Sequence, residues 1–202
     1  MTFPAFFDQV ASLTLRDPLA DILGAATEGI IEYRYVDAVK LAGHSCPTVA
    51  GAWLLASQGL AVLHPDSLPV RGNLRVELRA PQDVGTSGVT GAVLGLITGA
   101  AGDGGFKGLG NRHVRRNLLV FGADINADVR ISRLDNNTAV LLDLHPEAVP
   151  PAAEMPPLMA RVVGGVADTQ ERARFAELWQ ERVQRMLLQH ATDPALVAAR
   201  LE

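Results

Sequence analysis

His44 and Cys46, two residues apart in Gly43-His44-Ser45-Cys46-Pro47, are the side chains of this sequence with the most chemistry to offer. Cys46 is the only cysteine, so no internal disulfide can form. A thiolate and an imidazole are the soft ligand pair that suits zinc and related divalent ions, and an H-x-C spacing in a loop turns both toward one ion. Two ligands do not complete a centre, because a structural zinc takes four and a catalytic one three plus water. The same pair also fits a nucleophilic thiol, Cys46, activated by His44. Against both stands the ordinary fate of a free cysteine, which is to lie inert in the core.

The elements that would hold this pair follow from periodicity. Tyr33, Tyr35 and Val36 enrich residues 29–41 in strand formers with near-alternation, which predicts a strand leading into the motif. Small and apolar residues after Pro47 predict a buried helix over 48–57. A strand-to-helix corner offers unpaired N–H groups and a positive dipole end that favour a thiolate. Upstream, Phe6, Val10, Leu13 and then Leu19, Ile22, Leu23 predict two short helices parted at Asp17-Pro18. Residues 74–79 alternate as a half-buried strand, and 87–101 form a second buried helix whose Gly91, Gly95 and Gly99 would admit another backbone.

A glycine-rich loop, 102–110, precedes predicted strands at 118–121, 129–131 and 138–144, the last two joined at Asp135-Asn136-Asn137. The proline-rich stretch 145–158 reads as an irregular surface crossing. Asp168 with Glu171 predicts the start of a long amphipathic helix presenting Phe175, Leu178, Trp179, Val183, Met186 and Leu187. His64 and His145 precede prolines and read as turn residues, while His190 falls at the end of that helix, where the dipole favours a cation. The expected class is α+β: a mixed or antiparallel sheet packed by helices over 1–150, then 151–202 packing on the same domain or on a dimer partner.

The run GHSCPTVAGAWLLA resembles the hallmark of the FmdE-like family, named for a component of formylmethanofuran dehydrogenase: G-H-x-C-P-G leading into a Gly/Ala-rich helix. GVTGAVLGLITGAAGDGGFKGLGN is similar to that family's later segment, a helix ending in Thr-Gly and then a glycine-rich stretch ending in Gly-Asn. The resemblance spans residues 35–144. It implies an α+β domain of that type, a homodimer, and a metal, commonly zinc, on His44 and Cys46. It implies no activity, because the formyl chemistry of formylmethanofuran dehydrogenase resides in its other components.

The departures carry weight. Thr48 stands where the family prefers glycine, and the later cysteines are missing from APQDVGTSGVTG and TGAAGDGG. The cysteine-rich tail of many members is replaced by the proline segment and a plain helix. Further ligands are therefore sought at His113 and Asp103, then Asp83, or on a partner chain. The loop GDGGFKGLG can bring Gly104, Gly105 and Lys107, with Arg115, to a cofactor or a small anionic molecule. It is no P-loop, since Lys107 is followed by glycine and not by Ser or Thr. Arg112 and Arg116 join Arg115 either as a solvated face or as anion contacts. Haem, with His44 or Cys46 as axial ligand, is another occupant compatible with this pair.

Composition narrows the partners. A net charge of -4 with no long basic block argues against nucleic acid. The most apolar stretch, 89–101, is too short to span a bilayer. A lone cysteine and a first segment without a signal-like core lead to the expectation of a reducing, cytoplasmic setting. Two rival roles remain open at this point: a thiol- or metal-dependent enzyme acting on a small anionic substrate oriented by Arg115 or Arg116, and an accessory component of a larger complex that docks through Phe175, Leu178 and Trp179.

Overall fold

A computed structural model describes residues 3–202. Along the chain come β1 (Leu13–Arg16), α1 (Pro18–Ile22), β2 (Ile30–Tyr33), α2 (Tyr35–Ala42), α3 (Pro47–Leu63), β3 (Leu74–Leu78) and α4 (Ser87–Thr98). Then follow β4 (Leu119–Phe121), β5 (Val129–Arg133), β6 (Ala139–Leu144), α5 (Met155–Val163), α6 (Thr169–Gln184) and β7 (Val197–Leu201). Strands β1 and β2 form a small antiparallel ribbon, and the other five form a sheet in the order β4-β3-β5-β6-β7. Only the β3–β4 pair is parallel; the rest of that sheet is antiparallel. The class is α+β, as composition and periodicity predict.

The alternation in β3 does what period two requires: Leu74, Val76 and Leu78 are buried while Arg75 and Glu77 are partly exposed. Onto this sheet lies α3, whose Ala, Leu and Gly content leaves most of its circumference apolar and buried, the mark of a helix packed on several sides. Its Gly59 sits so close to the sheet that a Cβ would meet Leu142 at 2.9 Å and Ile131 at 3.0 Å. Trp53, buried in the centre of this helix, meets Tyr35 of α2 edge to face with ring centroids 6.0 Å apart. Burying one such large side chain contributes about 1.5–3 kcal/mol.

Several expectations change. Residues 35–42 are helix, not strand: Tyr35, Ala38 and Val39 are buried at helical spacing, and Asp37 Oδ2 accepts the Arg34 N–H at 2.9 Å to cap the start. The aromatic and β-branched enrichment there reflects burial against α3 and does not set the backbone. Upstream, Leu13 belongs to β1, so the first segment is a 3₁₀ turn, Ala5–Gln9, and a strand. Asp17 and Pro18 do open α1. Pro156 and Pro157 lie inside the first turn of α5, where a missing N–H costs nothing, so the proline-rich stretch ends in regular structure.

The glycine stripe of α4 admits side chains and its own turn, not another helix backbone. A Cβ at Gly91 would run into the Phe121 ring of β4, and one at Gly95 would meet the Ala100 carbonyl at 2.8 Å. Gly99 ends the helix in the left-handed region at φ 76°. The capping box of Asp168 and Glu171 forms as predicted and opens α6. The chain does not end in helix, however: β7 pairs antiparallel with β6 and extends the sheet. Among the described residues, no helix is long and apolar enough to cross a membrane.

His64 ends α3 with its ring buried and its Nε2 unpartnered. Burial, and then the Arg133 guanidinium, push this imidazole below its ordinary value of 6.5. The unfolded chain therefore takes up a proton first on acidification. The stability tied to neutral His64 is fully present above 6.5 and is lost as pH falls below it. His64→Leu is expected to flatten the fall in melting temperature between about pH 7 and pH 5. Parallel slopes for the two proteins would refute this assignment.

Candidate functional site

Local chain geometry brings His44 and Cys46 to one place. Helix α2 stops because Gly43 takes the left-handed conformation at φ 76°, which a side-chain-bearing residue rarely adopts. Three residues later Cys46 is the N-cap of α3, its backbone extended and its Sγ 3.5 Å from the Val49 N–H, with Pro47 at the first helical position. Sulfur here stands where Ser, Asp or Asn is usual. The corner therefore runs from helix to helix, not from strand to helix, yet the predicted helix start behind Cys46 is present.

Ser45, between the two, is fastened on both sides. Its hydroxyl lies 3.0 Å from the Tyr35 phenol, and its carbonyl accepts bonds from Trp179 Nε1 at 3.0 Å and Gln180 Nε2 at 3.1 Å. Burial pushes the Tyr35 phenol well above its ordinary range, so it stays a neutral partner. The face of α6 with docking potential is thus engaged within the chain: Leu178 is buried and Trp179 is bonded to the corner. That engagement takes Leu178 out of the exposed surface and leaves Phe175 and Trp179 partly exposed.

His44 is exposed, and its Nδ1 lies 2.9 Å from the Ala42 carbonyl. A carbonyl can only accept, so Nδ1 carries a proton, and in the neutral imidazole the lone pair is on Nε2. Orientation of an imidazole by a backbone carbonyl is the usual outer-shell arrangement of a ligating histidine. Cys46 is 7% exposed. Both residues line an open cleft of about 320 Å³, closed on its other sides by Thr86 and Val89 of the α4 start and by Trp179. The starts of both α3 and α4 line this cleft: Cys46 Sγ caps the first through the Val49 N–H, while Thr86 makes no side-chain cap for the second.

The remaining sequence candidates lie elsewhere. His113 and Arg115 line a separate cleft with Arg71 and Asn111. Asp103, Gly104 and Lys107 are exposed on the glycine-rich loop and line neither cleft. Gly105 serves the loop itself, since a Cβ there would meet the Arg116 backbone at 2.8 Å. Asp83 lies in the turn that leads to Thr86. Among the described residues, no three His, Cys, Asp or Glu side chains are grouped so as to hold one metal ion. No protein-family model matches the chain, and no curated protein matches it in sequence.

Trp179, Gln180, Thr86 and Val89 are the site residues that sequence reasoning missed in this role. Trp179 reaches Ser45 across 134 positions, a separation no local pattern reports. For Thr86 a signal existed, since it precedes the glycine-rich helix as a candidate cap, but nothing local points that helix start at Cys46.

Proposed function

We propose that this protein binds a divalent transition-metal ion, zinc being the simplest case, on His44 Nε2 and Cys46 Sγ, in the manner of the FmdE-like family. The observation that carries the reading is the His44 contact: with Nδ1 held at 2.9 Å by the Ala42 carbonyl, Nε2 is the nitrogen left to bind at the cleft that Cys46 lines. The donor chemistry fits, but among the described residues no third His, Cys, Asp or Glu is grouped with these two. Coordination is therefore open, completed by solvent, by a small ligand seated in the cleft, or by a side chain of a second copy in a homodimer. When bound, the ion would supply Lewis acidity at that opening.

The residues of the chain do the rest. Ser45, tied to Tyr35, Trp179 and Gln180, keeps the corner rigid, and the two helix starts favour an anionic group beside the ion. A cleft of about 320 Å³ sits at the small end of ligand pockets, which favours an ion with a small ligand over haem. The thiol-enzyme alternative is weaker on the same geometry, because neither Arg115, which lines a different cleft, nor Arg116 is among the residues that line the cleft at Cys46. Elemental analysis of purified protein beside the His44→Ala, Cys46→Ser double variant tests the reading. The expected result is metal in the wild type and none in the variant; equal metal content in both would sink it.

A further inference from the structure

The second cleft, between the start of β3 and the end of the glycine-rich loop, holds a buried cation that its neighbours do not satisfy. Arg115 is 6% exposed and lies at the centre of a buried ion cluster. Its Nη2 meets Asp17 Oδ1 at 2.6 Å, while Arg71 Nη1 meets Asp17 Oδ2 at 2.9 Å. Two guanidinium groups against one carboxylate leave a positive charge in excess. Arg71 also donates to the Leu96 carbonyl, from Nε at 3.3 Å and Nη2 at 3.0 Å. Arg115 does not: its Nε and Nη1 are buried with no hydrogen-bond partner.

Unmet N–H donors on a buried guanidinium cost free energy, and an oxyanion is the ligand whose geometry a guanidinium fork matches. Two glycines, Gly72 and Gly99, pack directly on this guanidinium, where a side chain would displace it. A Cβ at Gly72 would run into Arg115 Cζ, Nη1 and Nε. Gly72, Arg115 and Arg71 line a cleft of about 350 Å³, and Asn111 and His113 line it from the loop. Both of these loop residues hold left-handed backbone, Asn111 at φ 65° and His113 at φ 58°. Asparagine and histidine adopt that conformation more readily than most side-chain-bearing residues do.

We propose that this cleft is a binding site for a small oxyanion, a carboxylate or phosphate group, with Arg115 as the charged contact and His113 and Asn111 as the loop contacts. The site is distinct from the His44–Cys46 corner and stands whether or not that corner binds metal. It assigns a use to the glycine-rich loop that its exposed glycines and Lys107 do not supply: the loop carries His113 and Asn111 back to the buried arginine.

The test is a calorimetric titration of the full chain at low ionic strength with inorganic phosphate and, separately, with acetate, read also as amide NMR shifts. Saturable binding of either, with shifts centred on residues 71–73 and 111–115, supports the site, and the stronger of the two identifies the chemical class. His113→Ala is expected to weaken binding by about tenfold. Arg115→Lys, which keeps a cation beside Asp17 and so guards against misfolding, is expected to weaken it by about tenfold or more through loss of the fork. The His44→Ala, Cys46→Ser variant should bind as the wild type does. No saturable binding of either anion, or binding unchanged by both His113→Ala and Arg115→Lys, would overturn the proposal.

Discussion

Asp17→Ala is expected to destabilise the protein by about 3–5 kcal/mol, because it leaves the buried Arg115 guanidinium without its counter-charge. For a chain of this size that is a drop in melting temperature of about 10 °C. Asp17 is 3% exposed, accepts from Arg71 and Arg115, and also caps α1 through the Leu19 N–H at 2.9 Å. Asp17→Asn separates these roles, since asparagine caps a helix but carries no charge. It should recover about 1 kcal/mol, the worth of the cap, and leave the remainder of the loss in place. A loss below about 1 kcal/mol for Asp17→Ala would mean that the cluster behaves as a solvated surface pair.

The same carboxyl sets an acid dependence. Burial alone would raise its pKa, but the Arg71 hydrogen bond, the Arg115 charge and the Ala20 N–H outweigh burial and hold it below the ordinary 3.8. The native state therefore gives up this proton more readily than the unfolded chain. Its contribution is fully present above 3.8 and is lost as pH falls below that toward the lowered native value. Denaturant titrations down this range should give a shallower slope for Asp17→Asn than for the wild type; coincident slopes would remove Asp17 from the acid response.

The second large effect concerns the corner. Zinc titrated into metal-free protein is expected to displace a proton, because a thiol must ionise to ligate. Affinity should then fall with falling pH, as protons compete for both Cys46 and His44. Cys46→Ser is expected to abolish measurable binding and His44→Ala to weaken it by about 100-fold, since an open site with two protein ligands has none to spare. Cobalt substituted for zinc gives a second reading, as a thiolate-to-metal band that Cys46→Ser removes and His44→Ala retains. Zinc binding unaltered by Cys46→Ser would exclude the sulfur as a ligand. The substitutions are mild for the fold: His44 is exposed, and serine is a better N-cap acceptor than sulfur for the Val49 N–H.

Much of this architecture is written locally. The alternation of residues 74–78, the apolar run after Pro47, the Asp168–Glu171 capping box and the Asp17-Pro18 helix start each depend on neighbours a few positions away, and each appears in the fold, although α3 runs on through Gly59 to Leu63, past its expected end at residue 57. Helix α2 was equally legible in principle. Tyr35, Ala38 and Val39 fall at helical spacing, but two tyrosines and two valines weight a short window toward strand. β7 carried too little pattern to be seen: Val197 is buried and the residues after it are exposed or nearly so, as an edge strand allows.

What the sequence by itself determined is the pairing of imidazole and thiol at a helix start, since Gly43, Pro47 and the run that follows act within a single turn of chain. What only the tertiary structure decided is what faces them. The cleft at Cys46 is completed by the start of α4 and by Trp179, and the partner of Arg115 is Asp17, 98 positions away. Contacts of that range are set by how the helices pack on the sheet, with van der Waals fit and burial choosing among many local possibilities. Hence His113 and Asp103, nearest the motif's missing positions by sequence, are not brought to Cys46, and the glycine-rich loop turns instead toward the buried arginine.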